Sequence, residues 1–344
     1  MRRARSAGGS SALTPDAAQP DAKMRPMTQA LGGFRAALLA GWTALSAAGV
    51  LYARSKGIPA WVAVPVLAAF LIEYPFYLVP AFSEVRRRFE RHLAWFLVLS
   101  FVAPYVVYAS ATGQFRWWAL VQLAALAAAL SLWYKILPAS APVDAAFLVL
   151  VAAVVLRGYF DPIYTSPAAG LHLEILGHLA LTRLCAMIML VERRVPGVGY
   201  GFLPGLAEWR IGLRHFLYFL AAGIPLAWAT RLVRLGPGMP AWKTAATFAG
   251  MLWVVALSEE FFFRGLLQQW MANWTGRPAV ALACTSILFG AVHLGFRGFP
   301  NWRFALAAAV AGWFYGRAYQ QAQSIRASMV THALVVTVWR VLFV

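Results

Sequence analysis

"LSEEFFFRGLL", residues 257–267, sets Glu259, Glu260 and Arg264 into a stretch that is otherwise apolar enough to lie in a bilayer. On insertion scales each such charge at a helix centre costs roughly 2.5–3.5 kcal/mol, so the three together oppose insertion by about 8–10 kcal/mol. Charges kept at that cost need a partner or a task. If 243–270 is a helix, Glu260 and Arg264 form an i, i+4 pair in the favourable order, acid nearer the N-terminus. Glu259 is turned about 100° from Glu260 and lacks that cation. The spacing therefore separates an ion-paired carboxylate from one free to take a proton from water. A buried ion pair plus one protonated glutamate, serving helix packing alone, fits the same residues, and both readings stand at this point.

Composition fixes the surroundings. Of 344 residues, 61% are hydrophobic and 12% charged, with a mean hydropathy of +0.66, which is too apolar and too charge-poor for a soluble domain. The net charge of +18 raises nucleic acid as a partner. A nucleic-acid protein gathers its Lys and Arg into a patch, whereas here they punctuate the ends of apolar runs, so no nucleic-acid partner is expected. The runs fall near 34–53, 58–82, 93–111, 117–137, 143–160, 173–191, 216–232, 243–270, 279–296, 304–320 and 327–344. Most are close to the length that crosses a bilayer as a helix, and the alternation of a barrel strand is missing. The expected fold is all-α, a multi-pass transmembrane helix bundle of about 9–11 spans. Pro59, Pro142 and Pro240 sit near span starts, where a missing N–H costs little.

Three regions are expected. Residues 1–32 read as a disordered basic tail without a cleavable signal peptide. Residues 33–200 form a membrane region whose role the sequence leaves open, and 201–344 hold the motif-bearing spans. With the tail in the cytoplasm, "SEVRRRFERH" at 83–92 and the linker carrying Arg193, Arg194, Arg210 and Arg214 fall on the same side, which favours a cytoplasmic N-terminus. Arg231, Arg234 and Lys243 argue the other way. Cys185 and Cys284 lie inside apolar segments, outside any metal-type spacing, and read as packing residues.

Later spans supply further polar groups. "SILFGAVHLGF" at 286–296 carries His293, with Phe289 one turn before it, and "SMVTHALVVTVW" at 328–339 carries His332. Either histidine alone can be a helix-packing residue. Together with the glutamates they can hold a water between Glu259 and His293, with His332 as donor to a developing oxyanion.

"EEFFFR" at 259–264, "FGAVH" at 289–293 and the His of "HALVV" at 332–336 resemble, in order and spacing, the EExxxR, FxxxH and HxxxN or HxxxD motifs of the CAAX protease and bacteriocin-processing (Abi) family of intramembrane glutamic endopeptidases. "FRGLLQ", "GWFYGRAY" at 312–319 and "SIRASMVTHAL" fit the same pattern, and the resemblance is strongest over 245–340. It implies a CAAX-protease-like core in which Glu259 and His293 activate the hydrolytic water, His332 serves the oxyanion, and Glu260 and Arg264 hold the helix or engage substrate. It implies no metal and no cofactor. The substrate would be a membrane-anchored peptide or protein within the lipid bilayer, and the setting the bacterial inner membrane. One departure stands out: the family's Asn or Asp four residues after the last His is Val336 here, and losing one oxyanion donor costs on the order of 100-fold to 1000-fold in rate. Two other readings remain: a zinc hydrolase with Glu259, His293 and His332 as ligands, and a non-catalytic scaffold or immunity protein, for which Val336 speaks.

Other intramembrane polar residues read more plainly. Glu174 and His178 form an i, i+4 pair; Glu73, two residues before Pro75, suits a kinked helix with a local hydrogen bond; Asp144 suits a helix start. Trp117, Trp118, Trp242 and Trp302 suit an interfacial belt.

Overall fold

The computed structural model describes residues 21–343, and these form eleven helices with no strand among them beyond a single bridge between Leu235 and Phe343. In chain order they are α1 (Asp21–Lys56), α2 (Ala60–Ala81), α3 (Ser83–Ala111), α4 (Trp117–Ile136), α5 (Ala141–Leu156), α6 (Glu174–Glu192), α7 (Leu206–Ala229), α8 (Ala241–Thr275), α9 (Pro278–Val292), α10 (Trp302–Ala322) and α11 (Ile325–Leu342). Eight are long and apolar enough to cross a membrane. The chain is a multi-pass integral membrane protein. Each expected span has its helix. The starts differ most at α1, thirteen residues early, and at α3 and α7, each ten residues early; the start of α7 takes Arg210 and Arg214 out of the linker and into a helix. Glu208 explains that start: its carboxylate accepts the Gly205 N–H at 2.6 Å, capping a turn that opens after Pro204. The tail expected over 1–32 meets a helix from Asp21; its first twenty residues lie outside the described part. Pro59 and Pro240 stand immediately before α2 and α8, and Pro142 lies in the first turn of α5.

In the N-terminal half, α6 is the axis. Its most apolar window is 72% buried, against 0% for α1, and it packs on α2, α3 and α4. An arginine lies in that axis. The Arg183 side chain is 1% exposed and forks onto Glu73 of α2, Nε donating to Oε1 at 2.5 Å and Nη2 to Oε2 at 3.2 Å, while Nη1 donates to Ser100 of α3 at 2.9 Å. Glu73 is therefore not a local kink residue but one side of an interhelical ion pair. The other minor polar assignments change likewise. The His178 ring bonds the backbone carbonyl of Glu174, whose carboxylate turns instead to His172. Asp144 accepts both Nε and Nη2 of Arg193, at 3.0 and 2.9 Å, along with the Tyr134 hydroxyl. Cys185 is buried and Cys284 half-buried, both as free thiols, and the four expected belt tryptophans are exposed.

The C-terminal half is built from α7 to α11, with α10 against α7, α9 and α11, and α11 also against α7 and α8. Residues 196–199 strap the two halves together. Pro196 O accepts from Gln269 Nε2, Gly197 O from Tyr319 Oη, Val198 O from Ile325 N and Gly199 O from Ser324 Oγ. Tyr77 of α2 adds a bond across the halves, its hydroxyl donating to Trp253 O of α8 at 2.9 Å.

Removing one member of the buried pair should cost more than removing both. Arg183→Met strands the Glu73 charge and should destabilise by about 3–5 kcal/mol, whereas adding Glu73→Leu should recover most of that loss. Thermal unfolding in detergent reads both; a double variant no more stable than the single one contradicts the ion-pair account.

Candidate active site

α8 carries the glutamates and departs from regular winding on both sides of them. Met251–Ala256 and Phe261–Gln268 are π-helical, leaving Leu257–Glu260 as one α turn between them. Such widenings gather at functional sites because they re-aim side chains without ending the helix. Here they leave the two neighbouring glutamates in contrasting settings. Glu260 is fully buried and its Oε1 takes two donors, Arg264 Nη1 at 3.0 Å and His332 Nδ1 at 2.7 Å. The Glu259 side chain is 31% exposed, and its Oε2 has no hydrogen-bond partner among the described residues. That Oε2 lies 3.9 Å from His332 Nε2, beyond direct hydrogen-bond reach.

Arg264 is also fully buried, so its charge needs a complete set of neighbours. Besides Glu260 it has the Gly312 carbonyl, 2.9 Å from Nη2, and the ring faces of Phe289 and Tyr315, whose centroids lie 4.6 and 5.2 Å from Cζ. One turn on, Gln268 Nε2 donates to Gly316 O at 3.2 Å. These are two rungs from α8 to α10, each ending on a glycine. The glycines are what admit the approach: a Cβ on Gly312 would sit 3.2 Å from Arg264 Nη2, and one on Gly316 2.6 Å from Gln268 Oε1. Sequence reasoning quoted "GWFYGRAY" without finding this use; the small-xxx-small spacing of Gly312 and Gly316 was the available signal.

The histidines join the group through aromatic rings. His332 stacks on Tyr315 at 4.5 Å between centroids with planes 14° apart, and lies edge-on to Phe289 at 5.9 Å. His293, the residue closing α9, lies 4.7 Å from the same Phe289 ring. Its Nδ1 donates to Phe289 O at 2.7 Å, which leaves Nε2 as the acceptor nitrogen. Arg264, His293 and His332 thus meet around Phe289 and Tyr315, with Glu260 bound to two of them and Glu259 3.9 Å from His332, although 73 residues separate Glu259 from His332. Val336 is half-buried one turn beyond His332. Thr337 cannot replace the missing amide: α11 winds regularly there, and the Thr337 hydroxyl is buried away from any partner.

Residues 241–338 match the family model described as type II CAAX prenyl endopeptidase Rce1-like. The matched stretch spans α8 to α11 and contains all five site residues. No curated protein and no solved structure matches the chain. The Rce1-like match agrees with the motif resemblance and points to a CAAX-type intramembrane protease. Within the Rce1-like region no three or more His, Cys, Asp or Glu side chains group as a metal site, nor do they elsewhere among the described residues.

The Rce1-like helices approach closely where side chains are small. A Cβ on Gly290 of α9 would lie 2.5 Å from the Ala305 carbonyl of α10, and backbone cannot swing aside as a side chain can. Gly290→Ala should destabilise by about 1–3 kcal/mol, measured as a lowered unfolding midpoint in detergent. An unchanged midpoint means that the α9–α10 contact is looser than this.

Proposed function

We propose that this protein is an intramembrane endopeptidase that hydrolyses a peptide bond of a membrane-anchored substrate with a water activated by Glu259 and His293. The observation that carries the reading is the asymmetry of the glutamates: Glu260 has no exposed surface and is bound through Oε1 to both Arg264 and His332, while Glu259 is 31% exposed and accepts no hydrogen bond among the described residues. Glu259 takes a proton from the water as its oxygen attacks the scissile carbonyl carbon. His293 Nε2, the acceptor nitrogen, holds the other water hydrogen. His332 has Nδ1 committed to Glu260, so Nε2 is the nitrogen that faces substrate. When Nε2 donates to the oxyanion both ring nitrogens carry hydrogen, and Glu260 is the counter-charge. Collapse of the tetrahedral species breaks the C–N bond, and the proton held by Glu259 passes to the leaving amine. The step needs neither metal nor cofactor. Val336 withholds the donor that the family motif supplies, which makes for a slow enzyme. The setting proposed is the bacterial inner membrane, with the N-terminus in the cytoplasm.

Glu259→Gln should abolish cleavage of a membrane-anchored peptide while leaving the unfolding midpoint near that of wild type, because the amide keeps the shape but cannot accept a proton. Glu260→Gln should lower both, since Arg264 and His332 lose their shared carboxylate. Wild-type turnover in Glu259→Gln removes that residue as the base. A wild type inert on every candidate peptide favours the scaffold reading.

Dialysis against strong chelators should leave turnover unchanged, with far less than one zinc per chain by elemental analysis. Loss of activity that zinc restores would move Glu259, His293 and His332 to the role of ligands.

A further inference from the structure

Away from the glutamates, α7 and α10 flank an open hollow of about 440 Å³, lined by Arg214, His215, Tyr218, Arg317, Gln320 and Gln321. That is the size of a small-ligand site, roughly 300–1,000 Å³. Every lining residue is polar, two are arginines, and no carboxylate is among them. Neither guanidinium pairs with an acid among the described residues; Arg317 has only a 3.5 Å contact to Gln320 Oε1. Two unpaired cations in one hollow make a site for an anion, and forked guanidinium donors match phosphate oxygens.

His215 sharpens the chemistry. It is 6% exposed, and its Nε2 donates to Gln321 Oε1 at 3.1 Å. Nδ1 therefore carries a lone pair, and it is buried without a partner on a residue that lines the hollow. An occupant that satisfies it must bring an N–H or O–H as well as a negative charge.

The flanks of the hollow point to lipid. On the outer faces of the same two helices, Leu213, Leu217 and Trp313 are exposed apolar side chains that acyl chains can cover.

We propose that this hollow binds the headgroup of a phospholipid that offers a donor beyond its phosphate, of the ethanolamine or glycerol kind. The phosphate sits between Arg214 and Arg317, and the ammonium or hydroxyl donates to His215 Nδ1. The lipid joins α7 to α10, the helix whose Gly312 carbonyl holds Arg264.

The test uses full-length protein stripped of lipid in detergent. Short-chain phosphatidylethanolamine, phosphatidylglycerol and phosphatidylcholine, and inorganic phosphate, are titrated separately while the unfolding midpoint and bound lipid by native mass spectrometry are followed. The first two should bind at one per chain and raise the midpoint; phosphatidylcholine, which lacks the donor, should bind about tenfold or more weaker, as should phosphate alone. Arg214→Gln with Arg317→Gln should weaken the favoured lipids about tenfold or more, whereas Arg210→Gln, an exposed charge outside the hollow, should not. His215→Phe should erase the preference over phosphatidylcholine; should that variant not fold, the double arginine variant, altered only at exposed positions, decides alone. Equal stabilisation by inorganic phosphate would reassign the site to a soluble anion. Equal binding of phosphatidylcholine by wild type, or unchanged binding by the double arginine variant, overturns the proposal.

Discussion

A guanidinium with no exposed surface organises the C-terminal half. Arg264 is held from four sides at once, by the Glu260 carboxylate, the Gly312 carbonyl and the faces of Phe289 and Tyr315. An unpaired charge at that depth would cost more than most single contacts in the fold can offset, so each neighbour is constrained by it. Gly312 must lack a Cβ, α9 must bring Phe289 under the cation, and Glu260 must keep its carboxyl group against the guanidinium, where it also gives His332 its fixed acceptor. The N-terminal half is arranged around Arg183 in the same manner, with Glu73, Ser100 and the ring of Phe76 as its neighbours. Each half thus has one buried cation and one carboxylate that answers it.

The division between the two glutamates follows from this arrangement. Glu260 neutralises the cation and orients a histidine, so it is held twice over and has little freedom. Glu259 is next in sequence but carries none of that burden. The π-helical stretches on either side fit this difference, since the helix between them has a single α turn in which to present one carboxylate fully inward and leave the other partly exposed.

Much of this was legible in the sequence where the relevant contact is local. The Glu260–Arg264 pair and the placement of Phe289 beneath His293 follow from i, i+4 geometry, and the number of helices follows from the number of apolar runs, although eight of the eleven, fewer than the 9–11 spans expected, are long and apolar enough to cross a membrane. What was not legible is interhelical or a matter of backbone register. Arg183 in "LTRLCAM" reads as one charge in an apolar run, and its partner is 110 residues earlier. Glu174 and His178 satisfied the same spacing rule as Glu260 and Arg264, yet a half-buried acid at a helix end finds His172 instead. The early start of α7 was hidden because Arg210 and Arg214 look like loop charges until Glu208 is recognised as a cap. The slip from α to π bonding changes which carbonyl is used, not which residues are apolar, and so leaves no hydropathy signal.

The strap at 196–199 separates two kinds of boundary. The matched family region starts at residue 241, but the backbone that caps the first turn of α11 and anchors the ends of α8 and α10 comes from more than forty residues earlier. The segment that evolves as a recognisable unit is thus shorter than the segment that can close its own hydrogen bonds. A fragment cut at the limits of the match would expose the Ile325 amide, the Tyr319 hydroxyl and the Gln269 amide together, all at one end of the bundle. Transplanting or truncating the matched helices therefore has to carry Pro196 to Gly199 along, as a splint inherited from the other half.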